Sequence, residues 1–246
     1  MNNLMVERDY SVVKANDLIR NTTYDLSLVE QKIILRLIQL IKPQDTEFKT
    51  YILNINEFCA LCGIEQNNGA NYLYIKNSLK QLRDKSFWLR INGKERLCSW
   101  ISKVILEDGS GDIEIRLDDD LKPFLLELKQ NFTEYYLYYV LAMKSKYSIR
   151  MYEVLKSYKY LSKITVTIKE LKSLLFAVHY DRFYDFKKNV ISIAVEEINK
   201  YSDLIVTYDF NKQKKTVISI NFKIRYKNID EQMTMLVDVE NRLDKD

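Results

Sequence analysis

One octet pattern recurs in this chain as a weak internal repeat. Asn54-Ile-Asn-Glu-Phe-Cys-Ala-Leu61 and Thr167-Ile-Lys-Glu-Leu-Lys-Ser-Leu174 agree in the capping residue, the acid three places on, and the apolar positions. A side chain that accepts from a free N–H, followed by such an acid, marks a helix start. Similar elements surround both copies. Ser27-Leu-Val-Glu30 is a capping box, with Ile33, Ile34, Leu37, Ile38 and Ile41 after it at helical spacing, and Pro43 stops that helix. Tyr51-Ile-Leu-Asn-Ile predicts a strand. The first octet opens a short helix ended by Gly63, and Asn67-Asn-Gly-Ala predicts a loop. A longer helix is expected from about Asn71 to Lys85, with Leu79 and Leu82 on its core face and Lys76, Lys80 and Arg83 on another. Phe87 to Ile91, the Asn92-Gly93 turn and the stretch to Leu106 predict antiparallel strands. After the Asp108-Gly-Ser-Gly turn, Ile113-Glu-Ile-Arg-Leu alternates as a last strand.

The second half repeats the order. Tyr135 to about Tyr160 is expected to be mainly helical, and Ile164-Thr-Val-Thr a strand. Thr167 and Glu170 form a second capping box, opening a helix with Leu171, Leu174 and Leu175. A loop with His179 and Tyr180 precedes a long helix from about Asp185 to Tyr201. Leu204-Ile-Val-Thr-Tyr and Thr216 to Phe222 then form a hairpin around the turn Asn211-Lys-Gln-Lys-Lys215. Helix, strand, helix, long helix, hairpin is the order of a winged helix, a helix-turn-helix with a β-hairpin wing. The expected fold class is therefore α+β, two tandem winged-helix domains over 1–130 and 131–227, with an acidic tail over 228–246. A length of 246 residues suits that arrangement, and the scarcity of Gly (5) fits turns built from Asn, Asp and Ser.

Charge is distributed unevenly. Residues 1–130 carry 18 basic and 19 acidic side chains, residues 131–227 carry 18 and 9, and residues 228–246 carry 2 and 6. A positive second domain is the electrostatic footprint of a polyanion, nucleic acid first. The lone His179 excludes mechanisms that need two histidines, including two-His zinc sites and the His pair of metal-dependent nickases. No metal site, cofactor or enzymatic activity is expected. Cys59, Cys62 and Cys98 cannot all pair within one chain and are expected as reduced, buried thiols. With no apolar run of about 18 residues and no signal-peptide pattern at the start, a cytoplasmic protein without membrane partners is expected.

The helix from Asp185 carries the sharpest signal. At 100° per residue, Phe186, Val190, Ala194, Ile198 and Tyr201 share a core face. Asp185, Lys188 and Ser192 point away from it, with Lys187 and Asn189 on the flanks and Arg182 just before. Such side chains at the start of a recognition helix suit the major groove, where Arg and Lys donate to guanine and Asn pairs with adenine. The wing lysines Lys212, Lys214 and Lys215 complete the surface. Lys144, Ser145, Lys146 and Arg150 form a second basic cluster suited to phosphate, although Tyr147, Ile149 and Tyr152 beside them belong to the core. Asp118-Asp-Asp120 precedes Leu121-Lys-Pro-Phe-Leu and starts a helix rather than binding two metals. The 18 tyrosines leave a tyrosine-dependent DNA nickase as an alternative, without a His pair to hold its metal.

Several stretches resemble the iteron-binding plasmid replication initiators, Rep proteins with two winged-helix domains. They are Val13-Lys-Ala-Asn-Asp-Leu-Ile19, Leu26-Ser-Leu-Val-Glu-Gln-Lys-Ile-Ile34, Phe132-Thr-Glu-Tyr135, Lys144-Ser-Lys-Tyr-Ser-Ile-Arg-Met-Tyr-Glu153, Tyr184-Asp-Phe-Lys-Lys-Asn-Val190 and Glu197-Ile-Asn199. The resemblance runs over roughly residues 10 to 226. It implies binding to direct repeats in double-stranded origin DNA, melting of adjacent AT-rich DNA, and recruitment of the host replicative helicase and host initiator. It also implies a homodimer in equilibrium with monomer, dimerising through the first domain and repressing its own gene. Base-reading residues implied by it are Arg182, Asp185, Lys187, Lys188 and Asn189. Relatives often carry a third basic residue where this chain has Asn189. A winged-helix repressor with no replication role uses the same modules and stays open at this point.

Overall fold

A computed structural model describes residues 11–64, 68–91, 93–107, 109–158 and 160–243. Asn67, Asn92 and Asp108 of the expected turns lie outside them. Helix α1 (Asn16–Arg20) follows strand β1 (Ser11–Ala15). Helix α2 (Leu28–Gln39) starts at the expected box: Glu30 N–H donates to the Ser27 hydroxyl (3.3 Å), and Ser27 N–H donates to the Glu30 carboxylate (2.6 Å). Strand β2 (Tyr51–Asn54) leads into α3 (Ile55–Leu61), capped by Asn54. Helix α4 (Asn68–Asp84) begins three residues earlier than expected, so Asn68, Gly69 and Ala70 are its first turn rather than a loop. Ile75, Leu79 and Leu82 on α4 are buried. Strands β3 (Ser86–Ile91) and β4 (Lys94–Ser99) form a separate hairpin. Strands β5 (Ile101–Leu106) and β6 (Asp112–Leu117) close a three-stranded sheet of order β2-β6-β5, and the short helix α5 (Lys122–Leu125) follows. Ile113, Ile115 and Leu117 face the core, as their alternation requires.

The second half reproduces that topology. Helix α7 (Lys146–Ser157), strand β8 (Lys163–Thr167) and helix α8 (Ile168–Leu174) correspond to α2, β2 and α3. Thr167 and Glu170 make the second capping box. The long helix has three parts: α9 (Phe183–Phe186), a π-helical stretch (Lys187–Ser192) and α10 (Ile193–Tyr201). Strands β9 (Leu204–Gln213) and β10 (Thr216–Tyr226) form the wing, and the sheet order β8-β10-β9 repeats β2-β6-β5. The octet thus marks equivalent places in two copies of one module. The chain is a tandem pair of winged helices, of mixed helix and strand.

Two further expectations are corrected. Tyr135 and Tyr136 are strand, not helix: β7 (Phe132–Tyr136) buries Thr133 and Tyr135, exposes Glu134 and Tyr136, and pairs antiparallel with β1. Among the described residues of that stretch, only α6 (Tyr138–Leu141) and α7 are helical. An aromatic run satisfies either period, and pairing with β1 decides it. The expected division at 130/131 falls just before β7, so these two paired strands lie on either side of it. The wing turn is also shorter than expected. Asn211, Lys212 and Gln213 continue β9, leaving Lys214 and Lys215 as the turn.

The acidic tail folds as helix α11 (Ile229–Leu243). Asn228 and Glu231 form a reciprocal cap, with both N–H to side-chain oxygen distances at 2.9 Å. Arg225 holds the same carboxylate with two bonds of 2.7 Å, and its pKa falls to about 2 through the Arg225 and Asn228 hydrogen bonds. Met235, Val239 and Leu243 are buried, and the helix packs on α10 and α6. Its end rests on Gly63, whose φ is +64° and whose added Cβ would lie 2.9 Å from the Leu243 carbonyl oxygen. Gly63→Ala therefore meets both a left-handed backbone and a backbone clash. A loss of about 2 kcal/mol in urea unfolding is expected. An unchanged midpoint would show that α11 does not dock there.

Candidate nucleic-acid interface

The core face of the long helix is the expected one: Phe186, Val190, Ala194, Ile198 and Tyr201 are all buried. Ile191 is buried as well, because the π stretch holds six residues in a wider coil and turns each by less than 100°. Its other consequence is at the surface. Lys187, Lys188 and Asn189 are three consecutive exposed residues, so Asn189 shares the exposed face with the two lysines. Arg182 is 76% exposed, with Nε 3.5 Å from the Asp185 carboxylate. Ser192 is half-buried, its hydroxyl 3.4 Å from that of Tyr208.

The helix is locked to the wing by ring contacts. Phe183 meets Phe210 edge-on at 5.2 Å, and Phe210 meets Tyr208 at 5.2 Å. Lys187 Nζ lies 5.6 Å from the Phe210 ring centre. Asn199 donates to the Val206 carbonyl (2.9 Å) and accepts from Val206 N–H (2.6 Å), fastening α10 to β9. Lys212, Lys214 and Lys215 are exposed at the wing tip, with Lys214 at φ +54°. The exposed helix start and the cationic wing thus belong to one fixed body.

The cluster on α7 is mostly internal. Arg150 is only 3% exposed and cannot reach a ligand from this position. Its guanidinium donates to the carbonyls of Ile19 (2.6 Å), Thr22 (2.7 Å) and Leu174 (3.2 Å) and lies over the Tyr24 ring. Its expected role in phosphate clamping is therefore withdrawn. Ser145 caps α7 by accepting from Tyr147 N–H (3.2 Å). Lys146 is largely covered and pairs with Asp25 at 2.7 Å. Lys144 is exposed, while its N–H and that of Ser145 donate to Glu197 at 2.9 and 3.1 Å. The Glu197 of the sequence motif thus holds the two backbone N–H groups that lead into α7, those of its cap residue and the residue before it.

In the first module, Lys76, Lys80 and Arg83 line a groove of about 450 Å³ between α4 and β5, floored by Leu79, Val104 and Leu106. Lys103 joins them from β5. A bulge between Ile101 and Lys103 interrupts the alternation of β5, so the sequence period alone could not place it there.

Asp118 caps a short 3₁₀ turn (Asp119–Leu121), while Asp119 pairs with Arg116 and Asp120 with Arg96. The three carboxylates are thus spent on a helix start and ion pairs. The three cysteines are buried thiols. Among the described residues, no group of three His, Cys, Asp or Glu is placed to hold a metal, and no helix is long and apolar enough to cross a membrane. His179 is exposed with its ring 4.5 Å from that of Tyr180. Burial raises the phenols of Tyr51, Tyr135, Tyr139, Tyr147 and Tyr152, the reverse of what an activated nucleophile needs.

Residues 11–156 match the family model described as Initiator Replication protein, WH1, and residues 167–224 match Initiator Rep protein, WH2. The first match includes β7 and nearly all of α7, and α11 lies beyond the second. A replication initiation protein of Escherichia coli is 25% identical over 245 residues, covering 94% of this chain and 73% of the relative. Two winged helices in tandem, matched along most of their length, place this chain in the Rep family of plasmid replication initiators, which are DNA-binding proteins.

Proposed function

We propose that this chain initiates replication by binding directly repeated double-stranded sites at its origin. It acts through contacts rather than chemistry. The observation that carries this reading is the exposed row Arg182, Lys187, Lys188 and Asn189 beside a lysine-tipped wing. The helix start, with Asp185 and Ser192 at its borders, enters the major groove and reads bases. Lys212, Lys214 and Lys215, helped by Lys144 and Lys146, hold phosphates. Residues 131–227 thus supply recognition. Residues 1–130 supply an auxiliary phosphate contact through Lys76, Lys80 and Arg83, together with dimerisation. For dimerisation the β3–β4 hairpin offers Trp88 and Leu97, cross-strand partners that are 61% and 56% exposed. Bound copies open adjacent AT-rich DNA and recruit the host helicase and host initiator, and the dimer represses the chain's own gene.

Lys188→Ala tests the helix. It is expected to weaken binding to origin repeats by about 1–3 kcal/mol and to relax base choice at one position. Lys146→Ala, at a phosphate, is expected to weaken all duplexes alike. Both are read by retention assays on origin and scrambled duplexes. Wild-type affinity for origin repeats in Lys188→Ala would remove this helix from recognition.

A further inference from the structure

Tyr184 sits in the first turn of the recognition helix and is 62% exposed. Among the described residues, no hydrogen bond, ion pair or ring contact holds its side chain. Its neighbour Phe183 behaves differently, turning inward against Phe210. Tyr184 lies four residues before Lys188 and three before Lys187, so the three share one helix face. The other exposed side chains of this start are Arg182, Lys187, Lys188 and Asn189. They offer donors to guanine and an amide for adenine. None offers apolar surface to the one apolar mark in the major groove, the C5-methyl group of thymine. Ile193 is also partly exposed, but it lies more than two turns farther along, beyond the N-terminal turns that enter the groove.

We infer that Tyr184 is a specificity-determining residue that packs its ring on a thymine methyl within the bound site. The inference rests on the helix assignment made above and adds a base identity to it. It also gives the exposed ring a partner that the charged residues around it cannot supply.

Uracil tests it, because deoxyuridine differs from thymidine only in lacking that methyl. Duplexes are selected from a random pool by the wild-type chain, and each thymine of the recovered consensus is replaced singly by deoxyuridine. Wild type is expected to lose about fourfold in affinity at one position, the factor for burying one methyl group. Tyr184→Ala should bind the thymine duplex about as weakly as wild type binds the deoxyuridine one, and should not distinguish the two. Tyr184→Phe keeps the ring and should keep the discrimination. A wild-type series that is flat at every thymine overturns the inference, as does a Tyr184→Ala variant with undiminished discrimination. Loss of affinity for all duplexes alike in Tyr184→Ala also overturns it, by assigning the ring to the backbone. Lys188→Ala, measured on the same duplexes, separates this failure from failure of the helix assignment. If Lys188→Ala weakens binding while the uracil series is flat, the helix reads DNA and Tyr184 does not.

Discussion

Glu153→Gln is expected to lower the unfolding free energy by about 3–5 kcal/mol, because it removes one partner from a buried ionic network. Glu153 accepts from Lys14 Nζ (2.8 Å) and from the Tyr135 hydroxyl (2.7 Å), and the Arg150 guanidinium lies 3.7 Å away. All four side chains are buried. They come from β1, β7 and α7, so the network ties the β1–β7 ribbon to α7. Burial alone would push the Glu153 carboxyl up, but Lys14 and Arg150 outweigh it and hold the pKa below its ordinary 4.5. A depressed pKa fixes the sign of the pH dependence. The stabilisation is fully present above about 4.5 and is lost as pH falls through the lower folded value. The glutamine variant lacks it at every pH, so the gap between the two proteins should narrow in acid. Urea unfolding from pH 7 down to pH 3 measures both effects. A loss under about 1 kcal/mol at pH 7, or a gap that does not change with pH, would show that the network contributes little.

This network explains what the sequence could not show. Arg150, Glu153 and Lys156 are spaced by three along α7, and charges at that spacing suggest a solvated helix face. Yet every residue from Tyr147 to Ser157 is buried. Helices α1, α2 and α10 and strand β7 pack around α7, and each charge is matched across that packing, Lys156 by Asp203. Those partners lie far off in sequence, Lys14 139 residues from Glu153. Local signals were legible where their partners are local. Both capping boxes, the core face of the recognition helix and the alternation of β6 depend only on neighbours a few residues away. A third box, Asn228-Ile-Asp-Glu231, depends equally on near neighbours. The π stretch was not legible, since the four-residue spacing of Phe186, Val190, Ala194 and Ile198 fits an α-helical face as well as a wider coil. The order of elements was therefore readable, and so was the exposed basic start of the helix. Which basic residues on α7 face water was not, because that depends on what covers the helix.

Replacing the wing lysines is expected to give the largest change in DNA affinity. In Lys212→Ala, Lys214→Gly, Lys215→Ala combined, the dependence of log affinity on log salt should flatten by about 0.9 for each phosphate that the wing no longer neutralises. If each of the three lysines neutralises one phosphate, the slope changes by between about two and three units. Glycine is the choice at 214 because φ there is +54°, a conformation glycine adopts without the steric penalty that alanine would meet. The turn is thus kept while the charge goes. The two-residue turn places Lys214 and Lys215 at the very tip of strands that run from Leu204 to Tyr226, well away from the core. Their removal should leave the unfolding midpoint near that of wild type, since exposed substitutions away from packed or strained positions cost little. Scrambled and origin duplexes should weaken by the same factor, because phosphate contacts position the protein without reading bases. Lys188→Ala should do the opposite, shifting the ratio between duplexes more than the salt slope. Retention assays from about 50 to 200 mM salt, the range over which phosphate contacts dominate, separate the two patterns. An unchanged slope in the wing variant would place the wing away from DNA and leave the helix start to bind without it.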